Sequence, residues 1–445
     1  MSIQTLQNTL SAPSNDGLDD ALAVARNNYL ARRPSSVAAF ETSVDYMPGG
    51  NTRTVLFHGP VPLRIASGSG CKIVDADNIE YVNMLGEYTA GIFGHNHPVI
   101  RAAIDRALDM GVNLSGHNPD EVSLARLVCE RFPSIDKVRF TNSGTEANLL
   151  AISISRYHTG KQKVMVFDGG YHGGLLYFRG GGMPINAPFD YVVAPYNDIE
   201  ATQQMLEKFG SDIACVLVEP MQGATGCIPA DTAFLSMLRE ECSRLDSVLI
   251  FDEVMTSRLS LAGAQGARGV IPDMTTLGKY IGGGLTFGAF GGREDIMSVF
   301  DPRRADVIPH AGTFNNNSLT MAAGVAAMRD VLTEETLSIL NQRGEGLRSN
   351  LNKIAMGMDL PIQFTGEGSL LAMHATRGTI RSAADLKSND DRIIELVFLD
   401  LLEKGFYIAR RGFMALMLPL GDTEYQGFEQ AITKVFESRR SVISQ

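Results

Sequence analysis

From about Asn78 to Met328 the chain alternates short, uninterrupted apolar runs with helix-like stretches, and few architectures accept that pattern. The runs include Lys137–Thr141, Lys163–Phe167, Tyr191–Ala194, Ile213–Val218 and Ser247–Asp252, and their helical partners include Glu146–Tyr157, Ile199–Phe209 and Asp231–Leu245. A strand that is apolar on both faces must be covered on both faces, so the alternation predicts an α/β fold: a mostly parallel central sheet flanked by helices. After Thr333 the rhythm changes. Helical stretches (Glu335–Ala355, Asp390–Glu403, Tyr425–Glu437) flank a few strands (Ile362–Thr365, Leu370–Ala375, Phe413–Leu418), which reads as a smaller α+β domain. The division expected is 1–77 as an N-terminal arm and part of the small domain, 78–328 as the large domain, and 329–445 as the rest of the small one. Residues 1–36 are polar and read as a loosely held arm. Ser35–Met47 reads as a short helix stopped by Pro48-Gly49-Gly50, and Leu63–Ala66 and Lys72–Val74 as strands.

Charge narrows the partners. With 50 Asp and Glu against 39 Lys and Arg, the formal net charge is −11, and no basic run is present. Nucleic acid and anionic membranes are therefore poor partners, and a pocket for an anionic substrate needs individually placed arginines. No segment has the ~20 consecutive apolar residues of a membrane span, and the first twenty residues lack a basic stretch followed by an apolar one, so a cytoplasmic location is expected. The five cysteines are odd in number and have no CxxC spacing, which suggests neither a disulfide framework nor a metal site.

Ligands of open α/β sheets sit beyond the carboxyl ends of the strands, and the residues following each run carry chemistry. Ser143-Gly144-Thr145 opens a helix, where free backbone N–H groups suit a phosphate; a plain helix cap explains it equally. Gly169-Gly170-Tyr171-His172-Gly173 permits close approach of a ligand, with Tyr171 able to lie on an aromatic ring, or is a glycine loop around a packed tyrosine. Val248–Phe251 delivers Asp252 to the end of a buried strand, where its carboxylate needs a cation, a strong donor or a structural ion pair. A pyridinium N–H is such a donor, with Val254 then free to pack on the ring face opposite Tyr171. Lys279 stands among apolar and glycine residues, 27 positions after Asp252, where its charged form is disfavoured; the alternative is a solvated surface lysine. Thr313, in Ala311–Asn317, is a possible phosphate ligand or part of a polar turn.

With Gly94-His95-Asn96-His97-Pro98, Thr141–Asn148, Gly170–Gly173, Glu219-Pro220, Phe251–Thr256 and Thr276–Gly284, the chain resembles the class III (ω-) aminotransferases of pyridoxal-phosphate fold type I, in the branch near glutamate-1-semialdehyde aminomutase. Tyr46–Gly49, Arg53–Phe57, Glu87–Gly91 and Gly312–Asn317 are similar to members of that branch that act on aryl β-amino acids. The resemblance implies pyridoxal 5′-phosphate as cofactor, carried by Lys279, which also shuttles the proton. It implies Asp252 at the pyridine nitrogen, Tyr171 and Val254 on the ring faces, and Ser143, Gly144 and Thr145 on the phosphate, with Thr313 supplied by the other subunit of a homodimer. His172 and Glu219 are expected around the same cofactor. Arg53 and Arg411 are expected to bind substrate carboxylates, Arg410 being an equally placed rival of Arg411. The implied reaction is ping-pong transamination between a β-amino acid and a keto acid such as 2-oxoglutarate or pyruvate. An aminomutase and an amine or ω-amino acid:pyruvate transaminase are the alternatives. A non-catalytic regulatory module lacks support, since no DNA-binding segment is present.

Overall fold

Ile213–Val218 is six apolar residues long, and all six are buried. Such a strand needs a neighbour on each edge and cover on each face. The computed structural model, which describes residues 17–444, shows both. In chain order the strands are β1 (Ile65–Ser69), β2 (Lys72–Asp75), β3 (Glu80–Asn83), β4 (Lys137–Thr141), β5 (Lys163–Phe167), β6 (Asp190–Ala194), β7 (Ile213–Val218), a short pair β8 (Met221–Gln222) and β9 (Ile228–Pro229), β10 (Val248–Asp252), β11 (Met274–Gly278), β12 (Gly288–Gly292), β13 (Gln363–Glu367), β14 (Leu370–His374), β15 (Phe406–Tyr407) and β16 (Phe413–Ala415).

Seven of them form the central sheet in the order β4-β12-β11-β10-β7-β5-β6. The pairings β6–β5, β5–β7, β7–β10 and β10–β11 are parallel, and β12 alone runs against its neighbours β11 and β4. Alternate residues of β7 feed opposite layers. Val216 and Val218 pack with Phe234, Leu235 and Leu238 of the helix Thr232–Arg244. Cys215 and Leu217 pack with Ala147, Ala151 and Ile152 of the helix Gly144–Thr159. The fold is thus α/β, with a mostly parallel sheet between helical layers. Two smaller sheets lie outside it, β1-β2-β3-β15 and β13-β14-β16. The first joins 65–83 to 406–407, the β3–β15 pairing being parallel.

Several expected runs coincide with strands, among them Lys137–Thr141, Lys163–Phe167 and Ile213–Val218. Two strands of the central sheet escape the sequence pattern, β11 and β12. Gly-Ala-Phe-Gly-Gly has little intrinsic strand preference, yet the backbone of β12 must pass so close to the turn after β4 that a Cβ at Gly288 would overlap the Ser143 carbonyl. Close approach, not propensity, selects glycine there.

The reading of residues 1–36 as a loose arm is corrected over its described part. Gly17–Arg32 is a helix that buries Leu18, Leu22, Ala25 and Tyr29 and packs on the helix Asp391–Glu403. The spacing 18, 22, 25, 29 is a helical stripe. Residues 1–16 lie outside the described region, and it is their Ser, Asn and Pro content that masks the stripe. The contact is also polar: Arg26 pairs with Glu395 at 2.7 Å and Arg33 with Glu403 at 2.8 Å, while Tyr29 donates to the Val61 carbonyl at 2.9 Å. Leu22→Ala should therefore cost about 3 kcal/mol, as for other buried leucines. Urea denaturation measures it, and a loss of only a few tenths would return the segment to a loose arm.

Candidate active site

Six parallel strands end on one side of the sheet, and each of β4, β5, β7, β10 and β11 is followed by one of the singled-out groups: Ser143–Thr145, Tyr171 and His172, Glu219, Asp252 and Lys279. The topology alone brings them together.

After β4, Ser143 caps the helix Gly144–Thr159, its hydroxyl accepting from the Glu146 N–H at 3.2 Å. The cap and anion-site readings coexist, because the cap occupies the side chain while the amides of Gly144 and Thr145 belong to the first turn, whose N–H groups have no intrahelical acceptor. Gly144 is pressed on Val254, whose Cγ2 lies 2.8 Å from where a Cβ would stand, and a Cβ at Gly173 would overlap Thr145. The cup has room for backbone only.

Asp252 is buried at the end of β10 and held from three directions. Its Oδ2 accepts from Asn148 Nδ2 at 2.8 Å and from His172 Nδ1 at 2.9 Å; its Oδ1 accepts from the Val254 N–H at 3.0 Å. Asn148 is itself fixed: its Oδ1 accepts from Thr276 Oγ1 at 2.7 Å and its Nδ2 also donates to the His172 carbonyl at 3.0 Å. Thr276 stands on β11 directly beside Asp252. The structure thus places His172 against Asp252, oriented by it. Asn148 and Thr276 do not stand out in the sequence as site residues, although a buried asparagine on the apolar side of a helix is itself a signal, because a buried amide has to be satisfied.

Glu219, after β7, is buried and anchors the next layer. Its Oε2 accepts from the Tyr171 N–H at 2.9 Å and its Oε1 from the Gly223 N–H at 3.1 Å. Burial pushes its carboxyl up to about 7, with His172 opposing and Asp252 adding to the rise. The Tyr171 ring is part-exposed and meets Tyr177 edge to face, centroids 5.3 Å apart.

Lys279 opens the turn after β11 with φ of 54°, a left-handed conformation that non-glycine residues enter only when their surroundings impose it. Its amine is held down to about 8, first by burial; the carboxylates of Asp252 and Glu219 oppose this, and Arg411 and Arg53 reinforce it. Among the described residues the amine takes no hydrogen-bond partner. Val254 lies between the two turns, touching Gly144 on one side and lying 3.2 Å from a Cβ position at Gly278 on the other.

The two candidate arginines differ in setting. Arg410 donates to Glu395 at 2.5 Å, the same carboxylate that binds Arg26. Arg411 instead lies over the rings of Tyr88 and Phe413, 5.4 and 5.5 Å from their centroids, and donates to the Ala224 carbonyl. Its Nε is buried without an acceptor. Arg411 is also within electrostatic reach of Tyr171 and Lys279. Arg53 is half-exposed and paired with Glu87. Thr313 lines a separate cavity with Leu114, His117 and Phe314.

Residues 57–426 match the family profile Aminotransferase class-III. The chain belongs to the class III aminotransferases. It is 49% identical over 415 residues to the β-phenylalanine transaminase of Variovorax paradoxus, covering 93% of this chain and 95% of that protein. The crystal structure of a β-phenylalanine aminotransferase from the same organism superposes with a TM-score of 0.95 at 47% identity, covering 96% of this chain and 99% of that one. A glutamate-1-semialdehyde 2,1-aminomutase of Natranaerobius thermophilus is 36% identical, over 88% of this chain and 95% of that protein. Among the described residues no helix is long and apolar enough to cross a membrane.

Class III aminotransferases depend on pyridoxal 5′-phosphate, and the chemistry of this edge fits that cofactor. The cup offers amides to a phosphate, Asp252 is an anchored carboxylate, and the unpartnered Lys279 amine stands at the same end of the adjacent strand. Since Lys279 is protonated below about 8 and free base above it, capture of pyridoxal phosphate by cofactor-free enzyme should quicken as pH rises through about 8 and then level off. Stopped-flow absorbance reads that rate. A rise still continuing towards the ordinary lysine value of 10.5 would show an amine that burial does not perturb.

Proposed function

We propose that this aminotransferase moves the amino group of an aryl β-amino acid, β-phenylalanine being the representative, to a keto acid such as 2-oxoglutarate or pyruvate, in two half-reactions at one site. The observation that carries the reading is the presence of two separately placed guanidiniums, Arg53 and Arg411, both within electrostatic reach of Lys279. The donor and the acceptor each bear a carboxylate, at different distances from the reacting carbon. A guanidinium grips a carboxylate through two parallel hydrogen bonds. The 49% identity to a β-phenylalanine transaminase supports the same substrate class.

Bound pyridoxal phosphate supplies an electrophilic carbonyl carbon and an electron-withdrawing ring. In our reading Ser143, Gly144 and Thr145 take its phosphate, joined by Thr313 of the partner subunit in a homodimer. Asp252 would meet the ring nitrogen as a counter-charge, held in place by its hydrogen bonds from Asn148 and His172. Tyr171, set by Glu219, and Val254 bound the two ring faces. Lys279 would hold the group at its carbonyl carbon, and the same amine is placed to move the proton at the amine-bearing carbon of the substrate. Residues 78–328 form the cofactor-binding domain, and 1–77 with 329–445 the small domain that brings Arg53 and Arg411. The exposed apolar residues Val112, Leu114 and Phe314 near Thr313 support an interface there. Five free cysteines support a cytoplasmic location.

Racemic β-phenylalanine given with 2-oxoglutarate, and separately with pyruvate, should lose one enantiomer only when an acceptor is present. Isomerisation of glutamate 1-semialdehyde without acceptor would favour an aminomutase instead. Lys279→Ala should lower kcat about 10³-fold or more, the size expected for loss of a positioned acid-base group. Arg411→Ala should raise the keto-acid KM about 10- to 100-fold, the loss of a charged hydrogen-bonded contact; unchanged acceptor kinetics would remove Arg411 from that role.

A further inference from the structure

Gly86, Glu87, Tyr88 and Thr89 are four consecutive residues with positive φ, at 54°, 50°, 50° and 84°. Three of them carry side chains in the left-handed region, which L-residues enter as isolated cases rather than in series. A turn so disfavoured persists only where other contacts impose it. Here the Gly91 N–H donates to the Gly86 carbonyl at 3.0 Å and the Ala90 N–H to the Glu87 carbonyl at 3.2 Å. The Tyr88 hydroxyl donates to the Val55 carbonyl at 3.0 Å, and its ring stacks on Phe413, centroids 5.4 Å apart at 19°. None of these contacts uses the side chain of Glu87. That carboxylate pairs with Arg53 and can leave it without unmaking the turn.

It also has somewhere to go. Glu87 lines a cavity of about 310 Å³ together with Arg64, Asn83, His95 and Tyr407. His95 is near enough to feel the Glu87 charge. The pair with Arg53 is half-exposed, 46% and 50% on the two side chains, and ion pairs in that setting are weak and readily exchanged.

We propose that Glu87 is a displaceable placeholder on Arg53 and thereby a specificity-determining residue: the substrate carboxylate takes the guanidinium, and the Glu87 carboxylate swings towards Asn83 and His95. A donor without a carboxylate leaves Glu87 seated and meets a neutralised arginine. The turn that projects Glu87 also places Tyr88 under Arg411, so both carboxylate positions are built on one strained segment. The inference rests on the assignment of Arg53 to the donor carboxylate made above.

The test uses holoenzyme and 3-phenylpropanoate, which has the ring and carboxylate of β-phenylalanine but no amine. In E87Q, calorimetric affinity for 3-phenylpropanoate should rise about threefold, the scale of a weak exposed pair. KM for β-phenylalanine should fall by a similar factor, with the change on KM rather than kcat. In an R53A background the same substitution should change neither. E87A is the second variant and carries the same expectation, and thermal melting checks that each variant is folded. Unchanged or weaker carboxylate binding in both variants would overturn the proposal, as would an equal gain in the R53A background. Should wild-type enzyme not turn over β-phenylalanine, the substrate assignment falls, while the calorimetric comparison still decides whether Glu87 competes for Arg53.

Discussion

A carboxylate placed at the end of an interior strand has to be met by donors that cannot move away, and much of the site follows from how Asp252 is met. Asn148 and His172 occupy one of its oxygens, and Thr276 on the neighbouring strand fixes Asn148 in turn. The cluster ties β10 and β11 to the helix Gly144–Thr159. The spacing between the cup, Asp252 and Lys279 is thus set by buried hydrogen bonds and sheet register rather than by loops. A flat ligand gripped at two ends and tethered at a third needs that constancy, because small displacements of a reacting atom are costly.

Charge is balanced around Lys279 on the same plan. Two carboxylates favour its protonated form, two guanidiniums oppose it, and burial tips the sum so that the proton leaves at about 8 rather than at the ordinary 10.5. The guanidiniums thus work with burial in lowering the proton affinity of the amine. Glu219 adds a titratable group near neutrality whose first duty is geometric, holding the backbone of Tyr171.

Much of this was legible in the sequence because apolar runs buried on both faces have few alternatives. Val248–Phe251 could end only in the sheet interior, and that made Asp252 conspicuous. Lys279 stood out because its neighbours offered no solvent. What stayed hidden depended on contacts between distant segments. The strand β12 is glycine-rich because of where the Ser143 carbonyl lies. Arg410 and Arg411 are adjacent and chemically identical, and only the packed structure shows that Glu395 occupies the first and leaves the second among aromatic rings. The pairing of Asn148 with Thr276 spans 128 positions, and that of Arg53 with Glu87 depends on a left-handed turn that composition does not announce.

The helix Gly17–Arg32 reaches across the fold to the segment that carries Arg411. Arg26 and Arg410 share the buried carboxylate of Glu395, so the peptide that carries Arg411 is braced by a residue nearly four hundred positions earlier. Losing that helix would strip Glu395 of one of its two guanidinium partners and loosen the footing of Arg411, while the hydrogen bonds around Asp252 draw on other segments. The setting of Arg411 can thus drift through changes at residues far from it in sequence, and an engineer has a remote handle on that guanidinium as well as a local one.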